Sequence, residues 1–132
     1  MPASVTKLEN EPIITARYTS PMDFEHGFDE SIGQIRTFAG EIDERIVLIA
    51  DVRDLRLGFS EVVRGMGAVL RPGEARLPLD RSLIVIVGMG DLVKLVAHAA
   101  GQRQYGGITM RVVATYEEAL AEGRAFLAQP VE

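Results

Sequence analysis

Two periods of hydrophobic residues alternate along this chain. Val5 to Leu8 and Ile13 to Thr19 are short, alternating and rich in β-branched residues, and Glu9-Asn10-Glu11-Pro12 between them is a run of turn formers. They predict an N-terminal hairpin. Ser20-Pro21-Met22-Asp23 then offers an N-cap serine, a proline at the first helical position and an acid three residues after the cap. Phe24, Phe28, Ile32, Ile35 and Phe38 follow at helical spacing, and Gly40 supplies a stop.

The second half repeats a strand–helix rhythm. Arg45 to Val52 contains five consecutive apolar residues, mostly branched, as in a strand covered on both faces. Phe59, Val62, Val63, Met66, Val69 and Leu70 mark a second helix, ended by Arg71-Pro72-Gly73. Ser82 to Val87 is a second buried strand, and Gly88-Met89-Gly90-Asp91 turns into a third helix with Leu92, Leu95, Val96 and Ala99 inward. Gly106-Gly107 breaks it, Ile108 to Ala114 is a third buried strand, and Thr115-Tyr116-Glu117-Glu118 is a capping box for the last helix. Ala119, Leu120, Gly123, Phe126 and Leu127 form the inner stripe of that helix, and Pro130 closes it. The order β-β-α-β-α-β-α-β-α predicts one α/β domain over residues 1–132. Its central sheet is mostly parallel, with the N-terminal hairpin adding an antiparallel edge.

Composition narrows the function classes. Apolar residues make up 47% and charged residues 25% of 132 residues, ordinary for a globular domain. The sequence contains no cysteine, which excludes disulfides, thiol nucleophiles and thiolate metal sites and fits a cytoplasmic protein. The N-terminus has no basic start followed by an apolar run, so no secretory signal is read. The longest apolar stretch, Leu83 to Val87, is far short of the ~20 residues of a membrane span. A net charge of −5 disfavours general nucleic-acid binding. The local exception is an arginine-rich segment holding Arg53, Arg56, Arg64 and Arg71, which reads either as solvated surface or as a carboxylate- or phosphate-binding patch.

In open α/β sheets, ligands sit beyond the carboxyl ends of the parallel strands. Here those ends carry Asp51, Arg53, Asp54 and Ser60, then Gly88, Met89, Gly90 and Asp91, then Thr115 and Tyr116. Gly88-Met89-Gly90 resembles half of a phosphate-binding turn, but Val93 stands where the dinucleotide fingerprint needs a third glycine. A tight turn capped by Asp91 is the simpler reading. Asp51 and Asp54 could share a cation or divide acid and base roles; the plainer alternative pairs them with Arg53 or Arg56. A phosphoacceptor receiver layout lacks its lysine after the last strand. His26 and His98 are far apart and have no partner at metal-ligand spacing. Ser60 has no nucleophile-elbow setting in Gly58-Phe59-Ser60-Glu61-Val62, and the methionines read as core filler. No catalytic constellation, metal site or cofactor site emerges, and an enzyme using Asp51 and Asp54 ranks last among the readings.

Ile46 to Leu55 with its Asp51-Val52-Arg53-Asp54-Leu55 ending, the strand Leu83 to Gly88, and Val112 through the run Glu117-Glu118-Ala119-Leu120 together resemble the STAS-like superfamily. That superfamily includes anti-sigma-factor antagonists and an uncharacterised bacterial branch, and the likeness is greatest to that branch. The resemblance covers nearly the whole chain in element order. In the regulatory antagonists an Asp-Ser-Ser-Gly stretch containing the phosphorylated serine opens the helix after the strand that Ile46 to Leu55 resembles. Here Ser60 matches the first serine of that stretch and Glu61 replaces the second. The resemblance implies a non-enzymatic interaction module, self-associating or bound to a protein partner through its second helix and the loop before it. Arg56 and Arg64 lie on that surface. It implies no cofactor, while the acidic charge and the short apolar stretches speak against nucleic-acid and membrane partners. The alternative is a small-molecule site for an anionic or apolar ligand at the strand ends.

Overall fold

The computed structural model describes residues 3–19, 26–55, 60, 81–88, 94, 98 and 110–129, with no side-chain description for residues 3 and 26–29. The strands β1 (Ala3–Lys7), β2 (Ile13–Thr19), β3 (Ile46–Asp54), β4 (Ser82–Val87) and β5 (Met110–Val113) form one sheet in the order β1-β2-β3-β4-β5. β1 is antiparallel to β2, and β2 through β5 run parallel. Helix α1 (His26–Ala39) joins β2 to β3, and helix α2 (Tyr116–Ala128) follows β5.

The expected hairpin is present. Asn10 occupies the left-handed region at φ 66°, a conformation Asn tolerates, and the Leu8 N–H closes onto the Ile13 carbonyl at 2.9 Å. β1 starts at Ala3 rather than Val5, because Ala3 and Ser4 still pair with Tyr18 and Arg17. β3 runs two residues past the expected end at Val52, because Thr19 of β2 still pairs with Asp54. β4 has the expected bounds. β5 ends at Val113, one residue before the expected Ala114, which is in a bend. Ser60, Lys94 and His98 are helical and exposed. The remaining residues expected in the second and third helices, the Ser20 cap and Pro130 lie outside the described residues.

Strand alternation sorts the core into two layers. Ile14, Ala16, Tyr18, Ile46, Leu48, Ile84 and Ile86 meet Ile32, Ile35 and Ala39 of α1 on one face. Ile13, Val47, Ile49, Leu83, Val85 and Val87 meet Ala119 of α2 on the other. β4 is buried at all six positions, which is why the five residues after Ser82 form an unbroken apolar run. Side-chain contacts from Thr15, Glu11 and Arg45 help fix α2 over its face. The Tyr116 hydroxyl meets that of Thr15 at 3.1 Å, and Arg124 grips Glu11 through Nε and Nη2, both at 3.0 Å. Arg45 lies 5.3 Å over the Phe126 ring and donates to the Phe126 carbonyl at 3.1 Å. Arg45 also donates to the Gln129 carbonyl, so one side chain serves two acceptors at the end of the helix.

Candidate functional site at the strand carboxyl ends

Register brings the candidate residues to one rim. Arg17 of β2 stands opposite Asp51 of β3, Asp51 opposite Val87 of β4, and Val87 opposite Val113 of β5. Asp51 is therefore level with the last residues of β4 and β5, with Gly88 one and Thr115 two residues beyond them on the same rim, and Arg17, which the sequence did not single out, joins them. Its signal was present only in the alternation of β2, which puts Arg17 on the same face as Ile13 and Thr15.

After Arg17 the β2–β3 ladder loses register. Two steps along β2, from Arg17 to Thr19, match three along β3, from Asp51 to Asp54. The extra residue leaves Arg53 outside the paired positions of both neighbouring ladders. Its backbone N–H turns instead to Asp51 Oδ1 at 3.2 Å, a side-chain substitute for a ladder bond. The guanidinium follows, with Nε donating to Oδ1 at 3.0 Å and Nη2 to Oδ2 at 2.8 Å. Asp51 is only 4% exposed, so its charge depends on this partner. The Arg53 hydrogen bond holds the Asp51 carboxyl below the usual carboxylate range, against the opposing effect of burial, and Arg17 adds to the lowering.

Asp54 has a different partner. Arg17 Nη2 donates to its Oδ2 at 2.8 Å, with both side chains more than half exposed. Of the pairings expected for the two aspartates, Asp51–Arg53 is present, while Asp54 pairs with Arg17, brought close by strand pairing rather than by sequence proximity. Glu117, in the first turn of α2, is close enough to Arg53 to favour its charged form. Exposed charges of both signs thus stand side by side: Arg17, Asp54, Arg53 and Glu117.

Two other candidates are engaged in the fold itself. The Gly88 N–H donates to the Val113 carbonyl at 2.9 Å, extending the β4–β5 ladder. Thr115 is the N-cap of α2: its hydroxyl accepts from the Glu118 N–H at 3.2 Å and donates to the Glu118 carboxylate at 3.2 Å. Ser60 is exposed. Arg56, Glu61, Arg64, Gly90 and Asp91 lie outside the described residues.

Among the described residues no group of three or more His, Asp or Glu is placed to hold a metal, and no helix is long and apolar enough to cross a membrane. A cavity of about 530 Å³ lies at the opposite end of the sheet, lined by Lys7, Glu11, Glu41, Asp43 and Glu44 among others. It belongs to the amino ends of the parallel strands and shares no residue with the rim.

No family model matches this sequence, and no curated protein is similar to it. Among solved structures, the fold is similar to that of an uncharacterized protein of the DUF3478 family from Shewanella loihica PV-4, described as having a SpoIIAA-like fold. The two superpose with a TM-score of 0.57 over 92% of this chain and 91% of that one, at 14% sequence identity. With its antiparallel β1–β2 pair, parallel β2 to β5 and helices on both faces, the chain has the SpoIIAA-like, STAS-like fold that the element order implied.

Proposed function

We propose that this chain is a non-enzymatic interaction module of the STAS-like kind, self-associating, with the carboxyl-end rim of its sheet as recognition surface. The observation that supports this reading most is the run of exposed, alternating charges Arg17, Asp54, Arg53 and Glu117 beside the buried Asp51. A surface on which both signs alternate can meet a second copy of itself about a two-fold axis, since such an axis sets each group against a different one of the partner. Charges at such a rim select partners and orientation more than they add affinity. The arrangement offers little to catalysis: Asp51 is tied to Arg53, Asp54 to Arg17, and Thr115 caps a helix.

A second reading, a small-ligand site on the same rim, is supported by the part of the Arg53 guanidinium that Asp51 leaves unengaged. Native mass spectrometry of the freshly purified protein tests both. A dimer supports the interaction module. A monomer retaining an added mass supports the ligand site. A bare monomer contradicts both.

A further inference from the structure

The geometry points to Arg53 as an oxyanion-recognising group, positioned by Asp51 and taking a carboxylate or a phosphate; this deepens the reading of the rim as a recognition surface and rests on it. A carboxylate 4% exposed at the end of a central strand is costly to desolvate. The position is flanked on the same face by Ile49 and Val87, where an apolar side chain would pack without that cost. Among the described residues, the three hydrogen bonds that Asp51 accepts all come from Arg53, one from its backbone and two from its guanidinium. What the buried charge achieves is a guanidinium held in one orientation.

That orientation leaves a specific edge open. Asp51 occupies the Nε–Nη2 side, while Nη1 has no hydrogen-bond partner among the described residues and the side chain is 42% exposed. The Nη1–Nη2 edge, with Nη1 and the second Nη2 hydrogen unengaged among the described residues, has the planar two-donor geometry that matches a carboxylate or phosphate. Arg17, opposite Asp51 in the ladder, supplies a second cation with one contact to Asp54. Glu117 opposes an incoming anion and sets an upper limit on its affinity. The oxyanion is borne either by a free small molecule or by an acidic side chain of a second copy.

The test follows the arginine Nε–H signals of the intact protein by heteronuclear NMR. Sodium phosphate and sodium acetate are titrated separately at constant ionic strength. The Arg53 signal is expected to shift saturably. Arg53→Lys, which keeps the charge and loses the fork, is followed through the Arg17 Nε–H and the backbone amides of β3 and should weaken binding about tenfold, the loss of roughly one charge-assisted hydrogen bond. Asp51→Asn should also weaken binding with Arg53 still present, and Glu117→Gln should tighten it. A general loss of structure would not move these two variants in opposite directions. If phosphate also dissociates the self-associated protein, the oxyanion belongs to the second copy; if it binds without changing the association state, the ligand is a free anion. Both outcomes support the inference. A non-saturable Arg53 response to both anions overturns it, as does a Glu117→Gln variant that binds no more tightly. Self-association without anion binding overturns this inference alone, whereas anion binding by a strict monomer overturns the interaction module and leaves Arg53 in its role.

Discussion

Gly123 of α2 lies against Val47 of β3 so closely that a Cβ at position 123 would stand 2.8 Å from Val47 Cγ1 and 3.3 Å from Cγ2. The helix backbone rests on the β-branched side chain of a central strand, and Ala119, one turn earlier, is fully buried on the same line. Two small residues four apart bring α2 down onto the sheet.

Gly123→Ala therefore opposes two effects. Alanine gains about 1 kcal/mol of helix propensity over glycine, but overpacking a tight core costs about 1–3 kcal/mol. Since Val47 is held on a buried central strand and cannot yield easily, the expected net result is destabilisation of roughly 1 kcal/mol. Urea unfolding of the two proteins checks it; a rise in midpoint would show that α2 can lift.

Tyr18 and Ser31 pair in the α1-side core, with hydroxyls 2.7 Å apart. Tyr18→Phe should cost about 1 kcal/mol, the net value of such a bond. Burial pushes the Tyr18 phenol up to about 12 from its ordinary value of 10.0. The folded state thus favours the neutral form. The stability this contributes is complete below pH ~10 and is lost as pH rises toward about 12. Circular dichroism across that alkaline range should show the wild type losing stability more steeply than Tyr18→Phe.

The acid side depends on Asp51. Its folded pKa lies below the ordinary value, chiefly through Arg53, so the fold favours the carboxylate. That contribution is present above the ordinary carboxylate range, near pH ~4, and is lost as pH falls through the lowered folded value. Asp51→Asn should flatten the acid limb of a thermal-stability profile. An acid limb with the same slope in both proteins would remove Asp51 from this role.

Arg45 gathers the end of α2 through the Phe126 ring and two carbonyls. Arg45→Met keeps much of the aliphatic stem and removes the donors. Amide exchange over the last turn of α2 should then quicken several-fold, while β4, buried throughout, keeps its protection.

Much of this architecture is legible in the sequence, because burial writes directly into composition. The unbroken apolar run Leu83 to Val87, short and mostly β-branched, reads as a strand covered on both faces, and Thr115 with Glu118 three residues on announces the start of α2. Local pairing is legible too: Asp51 and Arg53 are two residues apart on one face of a strand. What the sequence hides is pairing that the register creates. Arg17 and Asp54 are 37 residues apart, and Thr15 and Tyr116 are 101 apart. Nothing local marks either pair. Ser31 looks like an ordinary polar residue of α1 until Tyr18 is placed opposite it. The added residue between Asp51 and Asp54, which frees the Arg53 backbone for Asp51, is a property of two strands together.

The most direct test of the rim as recognition surface is sedimentation velocity on the wild type and on the double swap Arg17→Asp with Asp54→Arg. The swap keeps an intramolecular pair between β2 and β3 and inverts the charge pattern offered outward; because position 17 stands opposite the buried Asp51, a lower melting temperature is expected, and circular dichroism at the working temperature checks that the variant is folded. The expected result is a dimer for the wild type and a monomer for the swap. Identical sedimentation of the two proteins would contradict the account.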